Sequence, residues 1–93
     1  MAYSISRTNK FERDIKRCKK RGKNMDKLKK IILILIDGKP LPTKNRNHQL
    51  IGNYVGRYEC HIEPDWLLIY KLDLENNQII FERTGSHSDL FKK

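Results

Sequence analysis

The sequence predicts an α+β domain: an N-terminal strand, an antiparallel helical hairpin, then a three-stranded antiparallel meander. Residues 9–36 carry apolar side chains at helical spacing, punctuated by cap and stop residues. Residues 58–83 carry strand patterns separated by tight turns. Helices first and strands after them suit a sheet covered by a helical pair. Ninety-three residues make a single domain, 1–93, with room for one small core. A chain of this size buries roughly 60–65% of its unfolded surface.

Tyr3-Ser4-Ile5-Ser6 alternates apolar and polar, as a short strand does. Thr8 or Asn9 caps the first helix, and Glu12 stands three residues after Asn9, close to a capping box. Phe11, Ile15 and Cys18 form its apolar stripe, and Gly22 ends it. Asn24 caps the second helix, where Met25, Leu28, Ile32 and Leu35 keep helical spacing and Ile31 and Ile36 widen the stripe. Its β-branched residues favour a strand when taken alone, but the length, the cap and the stop Asp37-Gly38-Lys39-Pro40 favour a helix. Residues 40–56 read as loop, with His48 inside it. Tyr58 to Ile62 alternates, Glu63-Pro64-Asp65 turns, and Trp66 to Leu72 is nearly all apolar, a strand covered on both faces. Glu75-Asn76-Asn77 turns the chain into a last strand, Gln78 to Arg83, and Ser88 to Phe91 forms a short helical turn.

The net charge of +9 is divided unevenly. Residues 1–46 hold fifteen Lys and Arg against four Asp and Glu; residues 47–93 hold five against seven. Twelve of the twenty-four residues from Arg7 to Lys30 are basic. Such a surface implies an anionic partner, and Lys16, Lys19, Lys20, Arg21 and Lys23 are its candidate contacts to a phosphodiester backbone. The competing reading is a helix face kept solvated by charge. Membrane binding fits less well, because the apolar stripes must also cover the sheet. The longest apolar run, Ile31 to Ile36, is far short of a membrane span, and the N-terminus has no signal-peptide pattern, so a cytoplasmic location is expected. Cys18 and Cys60 stand apart, without a disulfide framework or a zinc pattern.

All three histidines lie in the second half. Cleaving RNA through its 2′-hydroxyl needs a base for that proton, an acid for the leaving 5′-oxygen and a cation for the phosphorane. Histidine suits the first two roles near neutrality, and arginine suits the third. His48 in a loop, His61 near a strand end, Asp65 in the next turn, Arg83 at a strand end and His87 beyond it are the candidates. Pairing of antiparallel neighbours brings Asp65, Arg83 and His87 together, with no metal or other cofactor required. His61 and Asp65 are four apart but separated by Pro64, which argues against a zinc pair. Taken singly, each histidine is more often an ordinary surface or capping residue; several of them flanking one sheet edge shift that balance. Trp66 and Tyr70 share a face of the central strand and read as core, whereas Tyr54, Tyr58 and Phe91 are candidates for stacking on a base. Phe91 fits a core plug as well.

Three blocks carry a family resemblance: His48 to Tyr54, Arg57 to Tyr70, and Arg83 to Phe91. In that order, behind a basic helical hairpin, they resemble the YafQ branch of the RelE/ParE toxin superfamily. The resemblance implies a RelE-like fold and a ribosome-dependent mRNA endonuclease that cuts the A-site codon, without a cofactor. It places the family's functional positions on His48, His61, Asp65 and His87, with Arg83 and Phe91 in support. RelE proper lacks this histidine set, which makes the gyrase-directed ParE reading less apt. The implied partners are the 70S ribosome and mRNA, a cognate acidic antitoxin of DinJ type, and operator DNA through the antitoxin complex only. His87 is then expected to move a proton at the scissile phosphate, with Asp65 or His48 as its counterpart, His61 orienting a neighbour and Arg83 stabilising the phosphorane. The alternative is a non-catalytic basic module that holds nucleic acid or a protein partner.

Overall fold

Five strands form one sheet in the order β1-β5-β4-β3-β2, in a computed structural model that describes residues 3–50 and 56–91. The strands are β1 (Ser4–Arg7), β2 (His48–Gln49), β3 (Arg57–Glu63), β4 (Trp66–Asp73) and β5 (Gln78–Gly85), and the helices are α1 (Asn9–Lys20), α2 (Met25–Ile36) and α3 (His87–Leu90). The expected α+β order is therefore present, with β3, β4 and β5 as the antiparallel meander.

Thr8 is the cap of α1, its side chain accepting from the Phe11 N–H, and Asn24 does the same for α2 toward Asp26. Gly22 and Gly38 follow the two helices at φ 77° and 72°, a backbone region that costs glycine little. The apolar stripes meet the sheet as predicted. Phe11, Leu28 and Leu35 pack with Trp66, Tyr70 and Phe81, all 7% exposed or less. Each such side chain stabilises the fold by about 1.5–3 kcal/mol. The opposite face of β4 is covered too, since Leu67 and Ile69 lie under Leu90 of α3 and against Leu50. That double cover explains why β4 reads as an unbroken apolar run.

Three features depart from the expected loops and turns. β1 pairs with β5 in parallel, Ser4 opposite Gln78 and Arg7 opposite Phe81, and the connection between them runs through the helical hairpin and then β2, β3 and β4. The region read as loop contains a 3-10 turn, Thr43–Asn45, and the short strand β2. Two residues give no alternation to read, and it is pairing with β3 that makes them a strand: His48 faces Glu59 and Gln49 faces Tyr58. Finally, a bulge shifts the β4–β5 register between Ile69 and Tyr70, pairing Ile69 with Arg83 but Tyr70 with Phe81. It takes Arg83 off the core-facing alternation of Ile79 and Phe81.

Both cysteines are buried, and burial pushes the Cys60 thiol up to about 12, so neither is a nucleophile. Among the described residues no helix is long and apolar enough to cross a membrane.

Candidate active site

The three histidines, scattered in sequence, form a row in space. The His48 and His61 ring centroids are 6.5 Å apart and those of His61 and His87 are 5.9 Å apart. Phe91 continues the row, 6.5 Å beyond His87, and is 37% exposed rather than plugged into the core. Each ring sits where a strand or short helix places it. β2 sets His48 beside β3, His61 lies near the end of β3, and α3 carries His87.

A capping box built from Ser86 and Asp89 starts α3 and fixes the direction of His87. Asp65, in the β3–β4 turn, then accepts two hydrogen bonds from His87, from its backbone N–H at 2.9 Å and from Nδ1 at 2.6 Å. Those two bonds hold the Asp65 carboxyl below the usual carboxylate range, so it stays ionised. An ionised acceptor on Nδ1 directs Nε2 outward. Among the described residues this is the one imidazole nitrogen of the row without a protein partner, and His87 is about half exposed. It can take or give a proton in solvent.

His48 and His61 are bound at both nitrogens. Their Nδ1 atoms meet the carbonyls of Arg46 at 2.7 Å and Pro64 at 3.3 Å. A carbonyl only accepts, so each Nδ1 carries a proton in that contact. Both Nε2 atoms face the same carboxylate oxygen, Glu59 Oε1, at 3.5 and 3.6 Å. Glu59 is 6% exposed. Sequence reasoning missed Glu59. Its signal was the spacing Glu59-x-His61, which puts both side chains on one face of a strand.

Arg83 is not part of this histidine row. Its guanidinium is forked onto Asp14 of α1, Nε to Oδ2 at 2.7 Å and an Nη to Oδ1 at 3.2 Å. Asp14, 2% exposed, also accepts from Arg17 at 2.7 Å and from the Thr84 N–H at 3.0 Å. Sequence reasoning passed over Asp14 as well, although it sits between Phe11 and Cys18 on the apolar stripe. An acid there is buried, and a buried carboxylate needs donors.

The predicted polyanion contacts divide in two. Lys16, Lys19 and Lys20 are exposed and make no ion pair among the described residues. Arg21, in contrast, is paired with Asp89, at 2.6 and 3.2 Å. Lys23 is bound to Glu63 at 3.3 Å and lies 5.6 Å over the ring of Trp66. Arg21 thus ties the hairpin to α3, and Lys23 ties it to β3. Tyr58 stacks on Tyr70 at 5.5 Å on the helix-covered face, so it is not a base platform. Tyr54 lies outside the described residues.

The fold has counterparts among known proteins. The family model described as "Bacterial toxin of type II toxin-antitoxin system, YafQ" matches residues 3–92. An Escherichia coli K12 relative, "mRNA interferase toxin YafQ", is 42% identical over 88 residues, covering 94% of both chains. The crystal structure of the E. coli DinJ-YafQ toxin-antitoxin complex contains a chain that superposes with a TM-score of 0.89 at 40% identity, over 98% of this chain and 99% of that one. The crystal structure of a metal-bound toxin from Helicobacter pylori superposes with a TM-score of 0.90 at 36% identity, over 98% and 100%. Here, among the described residues, no three His, Cys, Asp or Glu side chains are disposed to hold a metal ion.

Proposed function

The chain belongs to the YafQ family of bacterial toxins from type II toxin–antitoxin systems, and we propose that it is an mRNA interferase that cuts the codon in the ribosomal A site by metal-independent acid–base chemistry. The observation that carries this reading is His87 itself: its Nδ1 is held by ionised Asp65, its Nε2 is open to solvent, and two further imidazoles stand in line with it. The E. coli relative of the same family is named an mRNA interferase.

The cleavage balances without a further reactant. A base removes the 2′-hydroxyl proton, the 2′-oxygen attacks the adjacent phosphorus, and the bond from phosphorus to the 5′-oxygen breaks as that oxygen gains a proton. The products are a 2′,3′-cyclic phosphate and a 5′-hydroxyl. His87 Nε2 is the proton-transfer group. Asp65 already accepts two bonds from His87, so its role is to hold the ring and its tautomer. The proton-transfer counterpart of His87 then falls to the His48–Glu59–His61 set, where one carboxylate oxygen lies 3.5 and 3.6 Å from the two Nε2 atoms. Arg83, expected to stabilise the phosphorane, is instead matched by Asp14, so its role here is to tie β5 to α1. Phe91 is the exposed aromatic at the end of the row and serves as the stacking surface for a base. Lys16, Lys19 and Lys20 engage RNA phosphates.

The cell that makes such a toxin must restrain it. An acidic antitoxin of DinJ type covers the basic hairpin, and the complex binds operator DNA; the E. coli counterpart forms a DinJ-YafQ complex. The toxin then acts in the cytoplasm, where the ribosomes are.

Primer extension on translating ribosomes tests the reading. Induced wild-type protein should give cuts within A-site codons, and His87→Ala should remove them. Intact mRNA with the wild type would refute the catalytic reading and leave a binding module. Full-rate cutting by His87→Ala would refute the role of that ring. Co-purification from cells carrying the whole operon should yield a complex with an acidic partner; free toxin alone would overturn that part.

A further inference from the structure

A cleft of about 580 Å³ opens beside the histidine row, between α2 and the turn that contains Thr43–Asn45. Its floor is apolar, from Ile31, Ile34 and Pro42. Its rim is cationic, from Lys30, Lys44 and Arg46, none of which makes an ion pair among the described residues. The one acid on the rim, Glu63, is already matched by Lys27 at 3.0 Å and Lys23 at 3.3 Å. The net field of the cleft is therefore positive over an apolar base, which is the chemistry of a nucleotide: a phosphate on one side and a flat, weakly polar ring on the other.

Three features join this cleft to the histidines. The backbone of β3 at His61 forms part of its wall, while the imidazole shares the α3-side face with Leu67, its partner on β4. Asn45, buried in its wall, donates to the His61 carbonyl at 2.7 Å, while its own Oδ1 is a buried acceptor that receives no hydrogen bond from the described residues. Arg46 occupies the left-handed region at φ 47° and ψ 48°, and its carbonyl meets His48 Nδ1. A non-glycine residue there is strained by about 1 kcal/mol or more, and the strain is held by a contact to the site itself.

We propose that this cleft is a subsite for the mRNA nucleotide next to the cut, its phosphodiester on Lys30, Lys44 and Arg46 and its base against Ile31, Ile34 and Pro42. The proposal rests on the mRNA-cutting reading above. mRNA fits the cleft because the turn that walls it is bonded to the row, Asn45 to the His61 carbonyl and the Arg46 carbonyl to His48 Nδ1.

Two measurements test the subsite on programmed ribosomes. In the first, mRNAs carry a single 4-thiouridine at each position around the cut, and His87→Ala toxin is bound and irradiated. At one flanking position the thiobase should cross-link to the peptide spanning residues 30–46. Cross-links from every position that avoid this peptide, or cross-links to it from ribosomal RNA alone, overturn the proposal. In the second, the double variant Lys30→Ala with Lys44→Ala is titrated against the wild type. Both lysines are exposed and unpaired, so the fold is untouched. The toxin concentration for half-maximal cutting should rise about tenfold while the plateau rate stays within about twofold, and the salt slope should become shallower by roughly one to one and a half. An unchanged half-maximal concentration sinks the subsite alone, provided the wild type cuts; a wild type that does not cut sinks the functional reading instead.

Discussion

Replacing Asp14 by alanine should be the most damaging single change to this fold outside the apolar core. The carboxylate accepts four hydrogen bonds, two from Arg83, one from Arg17 and one from the Thr84 N–H. Its removal leaves the Thr84 amide, in a residue 0% exposed, without an acceptor, and strips two arginines of their counter-charge. Breaking a buried pair by removing one partner costs about 3–5 kcal/mol. Arg83 and Arg17 are 27% and 33% exposed at their side chains, so water recovers part of the loss and the lower end applies, about 3 kcal/mol. For a domain of this length that is a fall in Tm of roughly 12–24 °C. The damage spreads along β5, because Thr84 Oγ1 accepts from the Trp66 indole at 3.0 Å and donates to the Leu67 carbonyl at 2.7 Å. Urea unfolding followed by Trp66 fluorescence reads the stability, since Trp66 is the single tryptophan and is fully buried. A loss under about 1 kcal/mol would refute the reasoning, and would mean that the two arginines and the amide find water or new partners at no cost.

Glu59→Ala should free both ring Nε2 atoms and reduce cutting by about ten- to a hundredfold with little change in Tm, whereas Glu59→Gln should retain more activity; equal activity of both variants with the wild type, measured on ribosomes, would remove Glu59 from the mechanism. Gly85→Ala should destabilise by about 1–3 kcal/mol in chemical denaturation, because φ is 156° there and a Cβ would stand 2.9 Å from Asp89 Oδ2 and 3.0 Å from Arg17. Asp65 and Asp89 have pKa values lowered by His87 and Arg21 respectively, so their contribution is complete above about pH 4 and is lost as pH falls through the lowered values. This part of the stability should therefore drop in acid below about pH 4, and Asp89→Asn should shrink that drop in acid denaturation curves.

Most of the fold was legible because it follows from short-range chemistry. Thr8, Asn24, Gly22 and Gly38 mark the helix ends by their own backbone preferences, and the run from Trp66 shows a strand covered twice. What could not be read was pairing. β2 exists only because β3 lies beside it, and the parallel partnership of β1 with β5 joins opposite ends of the chain. At the site, residue types identified His48, His61, Asp65 and His87 as candidates, and the coordinates bring them into one row with its orienting acid. Asp14, Arg21 and Lys23 resisted reading for one reason: a charged side chain looks alike in sequence whether it meets solvent or an ion partner. Here each has an opposite charge from a distant element.

The bond between Thr8 and Glu82 spans seventy-four positions, and the ladder from Ser4 to Gln78 runs beside it. On a ribosome the front of the chain must therefore wait, unpaired at its sheet edge, until nearly all the rest has been made. β5 also leads directly into α3, so the segment that completes the sheet is the one that delivers His87. Completing the sheet and seating His87 against Asp65 therefore draw on the same last stretch of the chain.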